Sequence, residues 1–431
     1  MEYIPILVLV ISFIGLLAIG TPVAWSISIS SVLTMLVSIP ALPAFTTVSQ
    51  RMGTGLDSFA LLAIPFFILS GQLMNKGGIA HRLIAFAKTL VGSLPGGLAL
   101  INVIGAMLMG AIAGSAMASA SAMGSILGPE MEKEGYSKEF GAAVNITSAT
   151  TGLIIPPSNV LIVYSLASGG VSIAALFLAG YIPGILTGVF LMVVASFWAK
   201  KKKYQLGERS SLKEVGKTFI AAVPSLFLLV IVIGGIVTGV FTATEASAIA
   251  VLYTLILGFI YKEINIKSLP EILLDSSTTT AVVMLLIGAS MSMSWVMSFE
   301  NIPQDISTAL LAISDNPIII LLIINLLLLF VGIFMDMTPA VLIFTPIFLP
   351  VVTSIGMDPV HFGIIMVLNL CIGLCTPPVG SVLFVGVGVA GTTIQKVMKP
   401  LLPLFLAMIV ALFLVTYFPQ LTLWLPSLFD L

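Results

Sequence analysis

Two proline pairs interrupt hydrophobic segments of this chain, and similar residues surround both pairs. The first segment reads TSATTGLIIPPSN (Thr147 to Asn159), and the second reads NLCIGLCTPPVGS (Asn369 to Ser381). A proline pair removes two backbone donors from a helix and frees the carbonyl groups one turn earlier. Such carbonyls suit a hard cation such as sodium, whereas the N–H groups of a helix that restarts after the break suit a carboxylate. The sequence therefore predicts two sites that could hold a cation beside an anion.

One fixed offset connects the two proline pairs. Pro156 and Pro377 differ by 221 positions (377 − 156). The same difference separates four further pairs, namely Pro129 and Pro350, Gly135 and Gly356, Gly152 and Gly373, and Leu153 and Leu374. This pattern indicates an internal duplication. A structural kink would explain one lone proline, but two matched pairs favour a function for the breaks, which are costly in lipid.

Composition predicts an integral membrane protein, because 59% of residues are hydrophobic, 8% are charged and the mean hydropathy is +1.20. The net charge of −1 excludes a basic surface for nucleic acid. The N-terminal MEYIPILVLV has no basic residue before its apolar run, so we expect a retained membrane helix rather than a cleaved signal peptide. Cys371 and Cys375 lie one helical turn apart without CxxC spacing or histidine partners, which favours packing over a disulfide or a metal site.

The apolar segments predict the same order of elements twice, starting with a first repeat over residues 1–199. A stretch rich in Gly, Ala and Ser is typical of a re-entrant helical hairpin, here turning near Gly114 and Ser115. The predicted elements are spans of about 20 residues at 4–20, 22–39, 57–75 and 171–199, an interfacial amphipathic helix at 78–95, the hairpin at 97–128 and a discontinuous helix at 138–168.

A linker at 200–217 leads to the second repeat, residues 218–431. Its predicted elements are spans near 218–240, 243–261, 275–298 and 397–420, an amphipathic helix at 301–315, a hairpin at 317–350 that turns at GIFMDMTPA, and a discontinuous helix at 359–390. Five crossings per repeat is an odd number, so the second repeat must be inserted upside down. The predicted fold class is an all-α, polytopic, inverted-repeat transporter with two re-entrant hairpins and two discontinuous helices.

The basic residues test this topology. The linker AKKKKYQLGERSSLKEVGK (Ala199 to Lys217) should be cytoplasmic, which places both termini outside and leaves only Arg51 there among 17 Lys and Arg residues. Basic residues that then fall inside are Lys76, Arg82, Lys88, Lys133, Lys138, Lys262, Lys267, Lys396 and Lys399, besides Lys200, Lys201, Lys202, Lys203, Arg209, Lys213 and Lys217 of the linker. The outer loops hold the acids Glu300, Asp305, Asp315 and Asp358.

Asp336 is an acid at the predicted tip of the second hairpin and therefore a candidate functional residue. A role at or beside the cation site and a role in capping the second hairpin arm both stay open. Its counterpart at the offset of 221 is Ser115 (336 − 221), which we expect to line the first site. Side chains expected to line the substrate site or to support its ligands are Ser115, Ser119, Thr150, Ser158, Asn159, Asp336 and Thr338.

Apart from Lys138 and His361 at helix ends, the predicted hairpins and discontinuous helices carry no basic residue. A carboxylate would then be neutralised by helix N-termini, hydroxyl groups and bound cations rather than by arginine. We expect His361 to be a structural residue at the outer interface. Glu245 follows Thr242 by three residues, a spacing that favours a capping box over a role in transport.

The chain resembles, over essentially its whole length, the large membrane subunit of tripartite ATP-independent periplasmic (TRAP) transporters. The similar motifs are IPFFILSGQLM, GAIAGSAMASASAMGSI, ATTGLIIPPSN, GVFTATEASA, GIFMDMTPA and LCIGLCTPPVG. The resemblance implies sodium-driven uptake of organic acids, among them C4-dicarboxylates, sialic acids and keto acids, across a bacterial inner membrane. Overall similarity to sialic-acid members suggests a sialic acid. It also implies an elevator-type movement of the hairpin-containing part against a scaffold.

The resemblance further implies sodium ligands and partners. One sodium site would use Gly110, Ala113, Gly152, Ile155 and Pro157, and the other Gly332, Gly373, Thr376 and Val379, mostly through main-chain atoms. The implied partners are a small four-helix membrane subunit and a periplasmic binding protein that delivers the substrate. Because no further span precedes the first one, we expect the small subunit to be a separate chain.

Two rival functions use the same residues differently. A stand-alone sodium–carboxylate carrier would share the architecture but need no binding protein. An intramembrane protease would need a Ser–His pair or two membrane aspartates, and neither His361 nor Asp336 has an evident partner of that kind in the sequence. The sequence therefore predicts a transporter rather than an enzyme.

Overall fold

The computed structural model describes residues 4–204, 210–314 and 316–431 of the chain. Within these ranges the regular structure is entirely helical. Eight helices among them are long and apolar enough to cross a membrane, and shorter apolar helices accompany them. The chain is thus an all-α polytopic membrane protein, as the sequence predicts. Arg209 and Asp315, which enter the topology argument, lie outside the described residues.

The first half of the described chain contains one hairpin and one discontinuous helix. Its helices are α1 (Ile4–Ala18), α2 (Val23–Ser38), α3 (Ala41–Gly55), α4 (Ala63–Lys76), α5 (Ile79–Val91), α6 (Gly97–Ala113), α7 (Ala116–Lys133), α8 (Lys138–Thr151), α9 (Asn159–Ala167) and α10 (Ile173–Lys202), with a 3-10 turn at Phe59–Leu62 before α4. Helices α6 and α7 form the first hairpin, and α8 and α9 are the two parts of the first discontinuous helix.

The second half repeats this order. Its helices are α11 (Leu212–Val237), α12 (Ala243–Ile260), α13 (Leu269–Phe299), α14 (Ile302–Ile313), α15 (Pro317–Phe334), α16 (Met337–Ser354), α17 (Pro359–Gly373), α18 (Ser381–Ala390), α19 (Ile394–Tyr417) and α20 (Gln420–Ser427). Helix α16 begins and ends 221 residues after α7 (337 − 116 and 354 − 133). The single helix α13 occupies the place of α3, the 3-10 turn and α4.

Both hairpins extend beyond their predicted ends at residues 128 and 350. Helix α7 continues through Pro129 to Lys133, and α16 continues through Pro350 to Ser354, so these prolines do not end their helices. Each helix ends instead at a glycine with positive φ, Gly135 at 83° and Gly356 at 84°. After each glycine, the next residue donates to a carbonyl five residues earlier, which satisfies the open end of the helix.

The two discontinuous helices cross at their centres in opposite directions. The Cys371 thiol contacts the Thr150 carbonyl at 3.1 Å, and these residues occupy equivalent positions in the two halves, 221 positions apart. One turn along, the Cys375 thiol contacts the Ile146 carbonyl at 3.4 Å. A step back along α8 is thus a step forward along α17, which makes the helices antiparallel. Contact between equivalent residues places the approximate two-fold axis of the inverted repeat at this crossing.

The second part of each discontinuous helix packs on the hairpin of the other half. Helix α18 packs on α7 and α8 of the first half, whereas α9 packs on α16 and α17 of the second. We call α6–α10 together with α15–α20 the hairpin bundle. Helices α1–α4 and α11–α13 form what we call the frame, in which α4 packs on α12 and α13 packs on α2, α3 and α4. The frame meets the bundle where α13 touches α16, where α4 touches α6 and α9, and where α11 touches α10.

Helix α3 is the element that sequence patterning does not predict. The segment carries prolines and glycines and a single basic residue, Arg51, and it is too short to span a membrane. Its position depends on tertiary contacts, since α3 packs on α13 and the Arg51 guanidinium lies 4.9 Å from the centre of the Trp295 ring. A cation over an aromatic face is stabilising.

Helix α12 begins with the predicted capping box. The backbone N–H of Glu245 donates to Thr242 Oγ1 at 3.2 Å, and the backbone N–H of Thr242 donates to the Glu245 carboxylate at 2.8 Å. We expect Thr242→Ala to lose about 1 kcal/mol of stability and lower the melting temperature by roughly 2 °C. Thr308→Ala, an exposed mid-helix threonine bonded to Gln304 O, is the matched control in thermal unfolding. Equal melting temperatures for both variants would contradict the prediction.

Candidate functional site

The first hairpin tip lies directly against the first helix break. Helix α6 ends at Ala113, and Gly114 then turns the chain with φ of 60° while its N–H donates to Gly110 O at 2.9 Å. Gly110 and Gly152 meet with their backbones in contact: a Cβ added to Gly152 would lie 2.5 Å from the Gly110 Cα. Only two glycines allow this approach of the tip to the break.

The second half builds the same junction. A Cβ added to Gly373 would lie 2.5 Å from the Gly332 Cα, so the second tip also rests on the second break through paired glycines. The Gly380 N–H donates to Ile333 O at 3.1 Å and ties the residues after the break to the tip. Thr376 Oγ1 donates to Ile372 O at 2.7 Å.

Several carbonyl groups at the two junctions accept no hydrogen bond from the described part of the chain. They are those of Gly152, Ile155 and Pro157 at the first junction and Gly332, Thr376 and Val379 at the second. The Gly110 and Gly373 carbonyls each accept one backbone N–H, from Gly114 and Thr376, and keep a second lone pair. Neutral carbonyl oxygens fit a hard monovalent cation. The residue sets are therefore compatible with sodium, and their role as ligands stays a prediction.

Both restarted helices begin with a polar side chain that is short of a partner. Asn159 Oδ1 at the start of α9 and Ser381 Oγ at the start of α18 are buried atoms with no hydrogen-bond partner among the described residues. Unsatisfied buried polar atoms are uncommon in folded proteins and point to a ligand or water. Ser381 was not among the predicted residues, although its place just after the second Pro-Pro pair could have indicated it.

A cavity of about 370 Å³, which we call the central cavity, lies between the two hairpin tips and the frame helix α13. A second cavity of about 220 Å³, the side cavity, adjoins it and extends to α4. Residues that line both cavities are Gly114, Ser115, Val160, Thr279, Val283 and Thr338. Both discontinuous helices also contribute, through Leu153 and Leu374 in the central cavity. The two cavities thus form one depression at the boundary between bundle and frame.

The structure brings four of the seven predicted side chains to this depression, namely Ser115, Asn159, Asp336 and Thr338. The other three make contacts inside the bundle. Ser119 Oγ donates to Ala106 O at 3.4 Å, Thr150 Oγ1 to Thr147 O at 3.1 Å, and Ser158 Oγ to Leu153 O at 2.5 Å. The hydrogen bonds of these three hydroxyls stabilise the first hairpin and the first helix break.

Asp336 is the one ionisable side chain among the described residues that line the two cavities. It occupies the N-cap position of α16, yet its side chain makes no capping hydrogen bond. Ser115, at the equivalent position of α7, does cap its helix by accepting the Ala118 N–H at 3.3 Å. The carboxylate of Asp336 is thus available to the cavity, whereas the Ser115 hydroxyl is partly engaged.

The frame adds polar lining residues that sequence reasoning missed. They are Gln72 and Asn75 on α4 and Thr278 and Thr279 on α13. Polar side chains within apolar helices were the available signal. The signal is ambiguous, because both threonines also bond their own helix, through Leu274 O and Asp275 O.

His361 and the two cysteines lie away from the depression. His361 is buried, with its Nδ1 2.7 Å from Thr422 Oγ1 and its Nε2 3.3 Å from Thr416 O. Cys371 and Cys375 are free thiols in the helix crossing. Their contacts are packing contacts within the bundle, and the position of His361 at the outer interface stays a prediction.

The fold and the site together define a secondary transporter of the inverted-repeat class, with paired hairpin tips and broken helices around one central depression. Residues 10–421 match the family described as the DctM component of tripartite ATP-independent periplasmic transporters, and the chain belongs to this family. The YdaH transporter of Alcanivorax borkumensis has a similar fold, with a TM-score of 0.66 over 89% of this chain and 90% of that one, at 12% identity.

Curated relatives cover nearly the whole chain. YgiK of Salmonella typhimurium, described as uncharacterized, is 57% identical over 99% of both chains. The sialic acid TRAP transporter large permease protein SiaM of Vibrio cholerae is 39% identical over 97% of this chain and 98% of its own. The C4-dicarboxylate TRAP transporter large permease protein DctM of Pseudomonas aeruginosa is 40% identical over 93% and 94%.

Proposed function

We propose that this chain carries out sodium-coupled uptake of an organic acid delivered by a periplasmic binding protein. The observation that supports this most is the depression between the two hairpin tips, which Asp336 and the unpartnered Asn159 line. Leu153 and Leu374 in its wall directly follow the two glycines of the junctions, so the open carbonyls of both junctions lie beside it. The paired glycine junctions suggest one sodium ion at each break. The hairpin bundle would move as a unit against the frame, in an elevator-type movement, because the depression lies at their boundary.

A carboxylate substrate fits the depression only with help from bound cations. No Lys, Arg or His is among the described residues that line either cavity, and Asp336 adds a negative charge. Helix N-termini and hydroxyl groups can each contribute part of the neutralisation. Sodium at the adjacent junctions would supply the rest, so that bound sodium tightens substrate binding and bound substrate tightens sodium binding.

The proposed setting is a bacterial inner membrane, with both termini periplasmic and the basic linker 200–217 cytoplasmic. Large apolar side chains on the frame are exposed, among them Ile11, Ile14, Phe227 and Val230, as a bilayer or a membrane partner requires. We propose as partners a separate four-helix membrane subunit and a soluble binding protein, in keeping with the family's tripartite description.

The substrate is an organic acid whose identity the comparisons leave open. Relatives named for sialic acid and for C4-dicarboxylate are 39% and 40% identical to this chain, so similarity does not choose between them. We propose sialic acid as the first acid to test. Uptake assays with sialic acid, C4-dicarboxylates and keto acids would identify the transported acid.

A stand-alone sodium–carboxylate carrier is the alternative function. The stand-alone carrier and the binding-protein-dependent transporter can be distinguished by uptake assays. The proteoliposomes for these assays contain this chain and its small subunit. We expect uptake only when the cognate binding protein is added. Equal uptake without it would favour the stand-alone carrier.

We expect Ser115→Ala to lower sodium-driven uptake by about threefold while leaving membrane yield unchanged. The hydroxyl lines both cavities and caps α7, so its loss removes one polar contact of order 1 kcal/mol from the depression and its helix end. Ser298→Ala, whose hydroxyl bonds only to Ser294 O of its own helix and lines none of the described cavities, is the control. Uptake by Ser115→Ala at the control level would remove Ser115 from the site.

A further inference from the structure

A third cavity, of about 130 Å³, lies inside the hairpin bundle between α7, α8 and α18. We call it the vestibule. Glu132 and Lys138 line it and form an ion pair of 3.3 Å, in which both side chains are about half exposed. Charged, accessible residues of this kind lie at the water-facing end of a membrane bundle. In the proposed topology this end is cytoplasmic, because Lys133 and Lys138 belong to the inner loop.

The inner wall of the vestibule carries an unsatisfied amide. Asn145 is 2% exposed, and its Nδ2 donates to Ala120 O at 2.7 Å. Its Oδ1 has no hydrogen-bond partner among the described residues. A buried acceptor without a partner is costly, so this oxygen needs water or a cation beside it. A vestibule of about 130 Å³ has room for water beside this oxygen.

The second repeat fills the equivalent space. The offset of 221 relates Gly124 to Thr345 and Asn145 to Met366. Thr345 and Met366 are both buried, and the Thr345 hydroxyl contacts Met366 Sδ at 3.3 Å. In the first repeat the same positions leave an opening with a polar wall. The two halves therefore differ at these positions: Gly124 and Asn145 line a cavity, whereas Thr345 and Met366 are in contact.

Buried polar groups connect the vestibule to the first junction. Asn145 and Ser148 on α8 and Gly152 directly after its end are three and four residues apart, which places them on one side of the helix. Ser148 Oγ donates to Oδ1 of Asn102, another residue of the vestibule wall, at 3.2 Å. Thr151 Oγ1 donates to Ser148 O at 2.6 Å, immediately before Gly152.

We propose that the vestibule is a water-filled site that rehydrates the sodium ion of the first junction and releases it to the cytoplasm. This inference rests on the proposed function, since it takes Gly152 as a ligand of that ion. Sodium leaving carbonyl ligands must regain water, and Asn145 Oδ1 is a free acceptor oxygen on the way. At the equivalent positions of the second repeat, Thr345 and Met366 are buried against each other, which gives the release a direction.

Thiol labelling tests the water path without measuring transport. Asn145→Cys places a thiol on the wall of the vestibule, and Met366→Cys places one at the equivalent position of the packed repeat (145 + 221). We expect 2-aminoethyl methanethiosulfonate, added from the cytoplasmic side, to modify Asn145→Cys about tenfold faster than Met366→Cys, because modification needs water access. The parent chain is the blank, since Cys371 and Cys375 are buried in the helix crossing and do not line the vestibule.

The effect of sodium on the labelling rate tests whether the labelled position lies on the path of the proposed ion. Replacing choline by sodium should slow modification of Asn145→Cys by at least about threefold, because the bound ion and its water occupy the path. Equal rates for the two cysteine variants, or a rate for Asn145→Cys that sodium does not change, would overturn the inference. Sodium-independent uptake by the parent transporter would instead overturn the proposed function, so the two failures are distinguishable.

Filling the vestibule with the equivalent residue of the second repeat gives a transport readout. The variant Asn145→Met, which leaves Gly124 unchanged because a Cβ there would lie 2.9 Å from Val389 Cγ1, should lower maximal uptake about tenfold. It should leave the half-saturating outside sodium concentration within about twofold, because inward release is hindered. Gly388→Ala is the control, because its added Cβ meets nothing within 4 Å. Maximal uptake of the filled variant at the control level would overturn the inference.

Discussion

Gly373→Ala is expected to abolish sodium-coupled uptake, and Gly152→Ala to do the same at the other junction. A Cβ at residue 373 would lie 2.5 Å from the Gly332 Cα and 2.6 Å from its carbonyl carbon, and a Cβ at residue 152 would lie 2.5 Å from the Gly110 Cα. Neither contact can be relieved by rotating a side chain, because the opposing atoms are backbone. Each hairpin tip must therefore move away from its break and separate the carbonyls predicted to share one ion.

Sodium-dependent thermal stability distinguishes this effect from simple misfolding. A ligand that binds only the folded state raises the melting temperature, so the parent protein should melt higher in NaCl than in KCl of equal concentration. Each glycine variant should lose part of this difference, and the variant with both substitutions should lose all of it. Gly388→Ala, in the same discontinuous helix as Gly373 but with open space around its added Cβ, should keep the full difference.

A less disruptive variant tests the second junction if the Gly373→Ala protein does not insert into the membrane. Thr376→Val removes a hydroxyl at the second junction without adding bulk between the glycines, and Thr376→Ser restores the hydroxyl. We expect weakened sodium dependence in the first and recovery in the second. Sodium-driven uptake near the parent level in Gly373→Ala and Gly152→Ala would exclude both junctions as sodium sites.

Asp336→Asn is expected to lower sodium-driven uptake by more than about tenfold. The substitution keeps the size and shape of the side chain and one acceptor oxygen, but removes the charge and replaces the second acceptor oxygen by an NH2 donor. If Asp336 merely capped α16, Asn would serve nearly as well, since both residues are good N-caps. The side chain makes no capping hydrogen bond and lines the central cavity, so a loss would show that the carboxylate itself is needed rather than a cap. A charge worth tenfold corresponds to about 1.4 kcal/mol.

Kinetics then show which ligand Asp336 serves. A role beside a cation predicts a higher half-saturating sodium concentration, whereas a role with the substrate predicts a higher KM for the acid. Asp305→Asn, an exposed acid on α14, controls for loss of one negative charge. Full activity of Asp336→Asn would show that the carboxylate has no part in transport.

The local elements of this fold could be predicted because their signals are local. Proline pairs mark the ends of α8 and α17, and glycines at one offset mark the turns after α7 and α16. The small residues around Gly114 predict a hairpin tip because only such residues allow the turn. The duplication strengthens each signal by repeating it, so that a break in one half identifies its counterpart in the other.

What could not be predicted depends on contacts between distant segments. Gly110 touches Gly152, and Gly332 touches Gly373, only after hairpin and helix have packed. The sequence does not show whether Asp336 caps α16 or contacts a ligand, because the two roles differ only in the direction of its side chain. The lining residues of α4 and α13 and the short helix α3 also acquire their roles from neighbours that the sequence does not reveal.

Sodium at the two junctions is the proposed driving force for uptake of an organic acid through the central cavity. The most direct measurement is uptake of radiolabelled sialic acid, and of C4-dicarboxylates in parallel, into proteoliposomes that contain this chain with its small subunit and binding protein. We predict accumulation under an inward sodium gradient and none when potassium replaces sodium. Equal accumulation of an acid in sodium and in potassium would contradict sodium coupling.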